Sequence, residues 1–154
     1  MAGTQAILAD CVAQLRRKAP QFHAEVFPEA PDDYRLNHPT GAFLVAYAGS
    51  RYGRVQDTGY VAQEREVVLT ITVVCRQLNG RDGAIEALDL VRAALLGYRL
   101  PDCRKAQARE DKFFGETAGL WKYALTVSAT TMAVEDAAAD TGAPLTQVTY
   151  EEAA

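Results

Sequence analysis

The stretch Gln63–Arg76, QEREVVLTITVVCR, decides the fold class. Val67, Leu69, Ile71, Val73 and Cys75 share one face of an extended chain, and Val68, Thr70, Thr72 and Val74 share the other, the period-two pattern of a β-strand built from β-branched residues. At ~3.3 Å per residue the strand spans more than about 40 Å, long for a chain of 154 residues. Such a strand either bends or projects beyond the core and contacts something else.

Working outward, Gly41–Ala48 (GAFLVAYA) is a nearly all-apolar strand of the kind found at a sheet centre. Residues 22–27 alternate as a short strand. Leu120–Met132 alternates strictly, with Trp121, Tyr123, Leu125 and Val127 on the bulkier face and Lys122, Thr126, Ser128 and Thr130 on the polar one. If the bulkier face is fully buried, Trp121→Ala costs ~3–5 kcal/mol. Two segments have helical spacing. In 4–18, Ile7, Leu8, Cys11, Val12 and Leu15 form a stripe, Thr4 is the candidate N-cap and Pro20 the stop. In 84–96, Ile85, Leu88, Val91 and Leu95 share a face, Asp82 is the candidate cap, and Gly97 closes the helix. Residues 28–39 read as a Pro-rich loop, 49–59 as a polar loop or hairpin tip, 99–112 as an extended ribbon or mobile loop, and 145–150 (LTQVTY) as a short strand. The order implies an α+β single domain: a mostly antiparallel sheet of about four or more strands with two helices on one face. Residues 1–132 form that domain, and 133–154 an acidic, Ala-rich tail or arm.

Composition narrows the function classes. Residues 1–132 hold all 16 Lys and Arg against 15 acids, leaving about +1, whereas the last 22 residues carry −5. A near-neutral body is not the footprint of a dedicated nucleic-acid binder. No apolar run approaches the ~20 residues of a membrane span, and no signal-peptide pattern opens the chain, so a soluble protein, cytosolic at synthesis, is expected. Cys11, Cys75 and Cys103 are widely spaced and odd in number, which fits neither a zinc site nor a disulfide framework.

Catalytic chemistry finds no foothold in the residue pattern. His23 and His38 lack partners at ligand spacing, and phosphate loops, HExxH helices and GxSxG elbows are absent. Glu29, Asp32 and Asp33 read as solvated loop residues, and Glu64 and Glu66, sharing a strand face, as ordinary edge charges. We therefore expect no catalytic, cofactor-binding or metal-binding residues. An interaction role is the default, with Arg51, Tyr52 and Arg54 as candidate interface residues, since Arg and Tyr are enriched at protein–protein interfaces.

Four stretches carry a family resemblance: HPTGAFLVAYAGSRYG (38–53), QEREVVLTITVVCR (63–76), ALDLVRAALLGYRLP (87–101) and FFGETAGLWKYALTVSATT (113–131). In order and spacing they resemble the tail terminator, or tail completion, neck proteins of Mu-like contractile-tailed phages and prophages, over roughly residues 5–132. The resemblance implies a small α+β subunit of the virion neck, assembled in the host cytoplasm, that forms a homohexameric ring on the tail tube protein. Such a ring stops tube growth and docks to the head-completion or neck protein, in contractile tails also anchoring the sheath protein. It implies no cofactor and no catalysis, and DNA only as transiting cargo. In such a ring Arg104, Lys105 and Arg109 are candidates for lining the lumen. Strand addition from the long strand or from 145–150 is one way to join neighbours. Arg51→Glu, or deletion of 102–111, is expected to leave the body folded and impair ring closure. The competing readings are a head–tail adaptor one layer nearer the head and a non-viral module binding a small molecule or peptide on the sheet face opposite the helices.

Overall fold

The computed structural model describes residues 2–56 and 59–136. Helix α1 (Thr4–Lys18) leads into a short strand β1 (His23–Val26), a 3-10 turn at Pro31–Asp33, and the long strands β2 (Gly41–Val55) and β3 (Ala62–Cys75). Helix α2 (Ala84–Leu95) follows, then β4 (Gln107–Thr117) and β5 (Leu120–Val134). The five strands form one sheet in the order β1-β2-β3-β5-β4. Only β1 and β2 run parallel; the other pairs are antiparallel. The fold is α+β, as expected.

The alternation in Gln63–Arg76 does its predicted job. Val67, Leu69, Ile71, Val73 and Cys75 of β3 are buried beside Phe43 and Val45 of β2 and Leu125, Val127 and Ala129 of β5. Both helices cover this face: α1 through Ile7, Leu8, Cys11, Val12 and Leu15, α2 through Ala84, Ala87, Leu88, Val91, Ala94 and Leu95. Gln14, also buried, donates from Nε2 to the Ala94 carbonyl at 3.0 Å and so ties the helices together. Among the described residues the opposite face is covered only at one end, where Phe27, Tyr34, Leu36 and Leu120 pack on Ala42, Leu44 and Val74, and no element lies over the rest.

Several local expectations are corrected. Thr4 does not cap α1; Gly3 occupies that position and makes no side-chain cap. Asp82 likewise precedes the α2 cap, Gly83, and its own N–H is bound by Glu86 Oε1 at 2.8 Å. Ile85 is exposed, because α2 turns its alanines rather than Ile85 to the sheet. Residues 49–55 are strand rather than loop: β2 passes through a bulge at Ala48–Gly49, with Gly49 at φ +136°, and keeps pairing with β3 as far as Val55. Backbone pairing to a strong neighbour overrides the polar composition.

The larger miss is β4, a full strand that begins inside 99–112, the stretch expected as an extended ribbon or mobile loop. Ten of its eleven residues are exposed, so it shows no hydrophobic alternation. It exists because Ala118 (φ +54°) and Gly119 (φ +81°) make a tight two-residue turn of the kind that matches strand twist, returning the chain along β5. Its approach is anchored too: Cys103 and Ala106 are buried, and the Arg104 N–H donates to the Thr130 carbonyl at 2.8 Å. Excising 102–111 would therefore remove core contacts and the start of β4, and would not spare the fold.

The two sheet edges differ. On β1, Nε and Nη2 of Arg16 donate to the Ala24 carbonyl at 3.1 and 2.9 Å, and Pro28 follows the strand closely. Along β4 the register shifts at Arg109 and again at Phe114, and Arg109–Lys112 is a run of charge. Bulges and charges of this sort discourage edge-to-edge pairing.

Trp121 and Tyr123 are half-buried rather than sealed, packed on the core margin and shielded by Phe113, whose ring lies 6.3 Å from that of Trp121. Trp121→Ala should accordingly cost about 2 kcal/mol in chemical denaturation, below the ~3–5 kcal/mol of a sealed site. A loss under ~1 kcal/mol would remove Trp121 from the core packing altogether.

Candidate functional site

The apolar core stops at Val67, yet β2, β3 and β5 continue for several residues past it. On the open face of this extension, cross-strand register places Arg51 opposite Glu66 and Glu66 opposite Thr130. Arg109, sitting in the β4 bulge, reaches back across β5: its Nε donates to Ser128 Oγ at 2.8 Å and its guanidinium pairs with the Glu66 carboxylate. Arg104, from the segment before β4, brings Nη2 to 3.1 Å from Glu64 Oε2. Three arginines thus surround two glutamates on one sheet face. A shallow cleft of about 420 Å³ opens there, lined by Arg51, Glu66, Val68, Arg109, Glu110 and Thr126.

The electrostatics keep Glu66 ionised. Burial pushes its carboxyl up, but hydrogen bonds from Arg109 and Ser128, with the charges of Arg109 and Arg51, outweigh that and hold it below its ordinary value of 4.5. A depressed carboxyl contributes stability above its unfolded pKa and loses it as pH falls through the folded one. The arrangement is therefore intact at neutral pH and loosens only in acid.

The helix-side face of the same extension is organised by Arg65, which is only 8% exposed. Its Nε donates to Ser50 Oγ at 2.9 Å, and its Nη2 to Thr4 Oγ1 at 2.8 Å and to the Tyr47 hydroxyl at 3.2 Å. The guanidinium also lies over the Tyr47 ring, 5.7 Å from its centroid, within cation–π range. This side chain locks the start of α1 to the β2–β3 ribbon. At the tip, Tyr52, Val55, Tyr60, Val61 and Val134 are exposed, and Glu135 closes the end by accepting the Val61 N–H at 2.5 Å.

The candidate interface residues therefore divide. Arg51 faces the open side, Tyr52 the helix side opposite Arg65, and Arg54 the tip, where it is exposed. The candidate lumen residues divide as well: Arg104 and Arg109 join Arg51, while Lys105 is exposed beside a backbone bridge to Arg99. Glu64 and Glu66, taken from sequence as bland edge charges, are the centre of the cluster. Their shared face was visible; their cationic partners, remote in sequence, were not. Arg65 carried no signal that it would be buried.

Elsewhere the candidate chemistry does not assemble. His38 Nδ1 accepts the N–H groups of Thr40 and Gly41 at 3.2 and 3.3 Å, a turn-stabilising role, and His23 contacts Glu25 at 3.3 Å. Cys11, Cys75 and Cys103 are buried, free thiols; burial pushes Cys11 and Cys75 up to about 12. Among the described residues no three His, Cys, Asp or Glu side chains gather closely enough to hold a metal ion, and no helix is long and apolar enough to cross a membrane. A hollow of about 770 Å³ at the start of α2 is lined by Gln21, Asn79, Arg81, Asp82, Glu86 and their neighbours and is open and polar, unlike the apolar enclosure of most small-ligand sites.

The model of the Gp37 protein family matches residues 11–152, nearly the whole chain. This chain belongs to the Gp37 protein family. No curated protein is similar enough in sequence to count as a relative of this Gp37 protein. Among solved structures, its fold is similar to that of a chain from the virion of a native gene transfer agent particle, with a TM-score of 0.55 and 18% identity. That alignment covers 86% of this chain and 98% of the other, so the fold is shared over most of this chain.

Proposed function

We propose that this chain is a structural component of a phage-like virion, and within it the tail terminator: a homohexameric ring that caps the tail tube, stops its growth and forms the joint to the head. The family match and the fold shared with a gene transfer agent virion chain support the virion assignment. The observation that carries an assembly role is the sheet extension beyond the core, which presents Arg51, Tyr52 and Arg54 outside anything folding requires.

The mechanism is geometric. One copy's extension meets a different surface of the next, and a heterologous contact repeated about an axis closes into a ring. Side-chain contacts at the extension set the rotation per copy. The ring would match the tube end on one side and offer the neck protein and the last sheath layer another, with DNA passing through the hole.

Light scattering and negative-stain imaging of the purified protein, alone and with isolated tube ends, test this reading. Closed six-fold rings, or caps formed on tube ends, are the expected result. In the same assay Arg51→Glu should leave the circular dichroism spectrum unchanged, because Arg51 is exposed, yet reduce assembled mass severalfold. A protein that stays monomeric and ignores tube ends overturns the proposal; one that binds filled heads but not tubes shifts it to the adaptor layer.

A further inference from the structure

Among the described residues no element covers the open part of this sheet face, and its charge is not fully balanced. Arg51, Arg104 and Arg109 stand around Glu64 and Glu66, and cross-strand register adds Glu110, opposite Thr126, and Lys112, opposite Ala124, so four cations meet three acids, with Lys105 close by in sequence to Arg104 and Arg54 further out on the β2–β3 ribbon. The chain leaves β5 at Val134, at the tip end of this face, where Val134 pairs with Ala62 and Glu135 is held by both backbone polar groups of Val61. From there 18 residues continue to 154, outside the described residues; they contain Asp140, Glu151 and Glu152 and no Lys or Arg. Fully extended, that length reaches about 60 Å, several times the ~14 Å radius of gyration expected for a domain of this size.

We propose that residues 137–154 of one copy dock on the arginine-bearing open face of a second copy, which makes this segment an arm between subunits. Three observations carry the proposal. The segment carries only acidic charges, whereas the face carries a small surplus of cations, Arg51 and Lys112 among them. It includes Leu145–Tyr150, an alternating polar and apolar stretch able to lie flat against a face of Val68, Thr70, Thr126 and Thr130. And β5 ends at the tip of the β2–β3 ribbon, with Val134 opposite Ala62 and Glu135 clipped by Val61, so the segment starts from the tip end of this face. The proposal rests on the assembly reading above only in needing a second copy; it does not need a ring of six.

Site-specific cross-linking tests it. The three native thiols are buried, so Arg51→Cys and Val148→Cys would each add one reactive thiol. Equal amounts of the two single variants, mixed and treated with a short bis-maleimide, should give a covalent dimer as the major product. The yield should fall severalfold in about 1 M salt, where the screening length shrinks to about 3 Å. A chain truncated after Asp136 should lose the mass increase seen by light scattering while keeping its circular dichroism spectrum.

The proposal is overturned if the mixture yields no dimer, or if a chain carrying both cysteines cross-links only within itself. The two readings fail separately. Rings with no arm cross-link leave the terminator assignment standing and remove the arm; arm-linked dimers that never close or cap a tube do the reverse.

Discussion

Phe43→Ala should lower stability by about 3–5 kcal/mol, the range for truncating a sealed aromatic. Phe43 is fully buried, sits in β2 between Ala24 of β1 and Val73 of β3, and stacks on Phe22 at 4.8 Å between ring centroids. It is the point where the parallel and antiparallel parts of the sheet share one core, so relaxation cannot fill the space from either side. In a thermal melt the midpoint should fall by roughly 6–20 °C, at about 2–4 °C per kcal/mol for a protein of this size. Phe113→Ala, on the exposed edge, should cost less than half as much. Equal losses would show that the sheet centre is not the better-packed site.

Arg65→Met should cost about 2–3 kcal/mol: a hydrogen bond to a charged group is worth about 1.5–3 kcal/mol net, and the hydroxyls it leaves can turn to water in part. Arg65 satisfies three hydroxyl oxygens at once, from Thr4, Tyr47 and Ser50. A lysine keeps the charge but lacks the planar fork, so Arg65→Lys should recover only part of the loss. Urea unfolding measures the totals, and hydrogen exchange at the first turn of α1 locates them: that turn should open faster in the methionine variant while the core strands are unaffected. Unchanged exchange there would mean that α1 is anchored by its apolar stripe alone.

The contrast between these two residues explains what could be read from sequence. Phe43 lies in a run whose neighbours are all apolar, and Ile71 and Leu125 stand in alternating runs; hydrophobic period alone placed them inside. Arg65 lies in the same kind of run, but its burial depends on a threonine 61 positions away and a tyrosine 18 away, which no local pattern encodes. The same holds for the candidate site. Arg51 and Arg109 were each noticed as exposed cations, while their meeting over Glu66 needed the β3–β5–β4 order. Strand β4 failed for a related reason: an edge strand with both faces wet has no apolar period to detect, only a two-residue turn and a willing neighbour. The expected strand at 145–150 lies outside the described residues.

The unequal edges of the sheet set a limit on how copies can accumulate. With β1 stoppered by Arg16 and β4 kinked twice, neither margin invites a further strand, so a solution crowded with copies would not zip them into an open-ended ribbon. Any order among them must come from side chains meeting at a set angle, and a set angle is what makes a count finite.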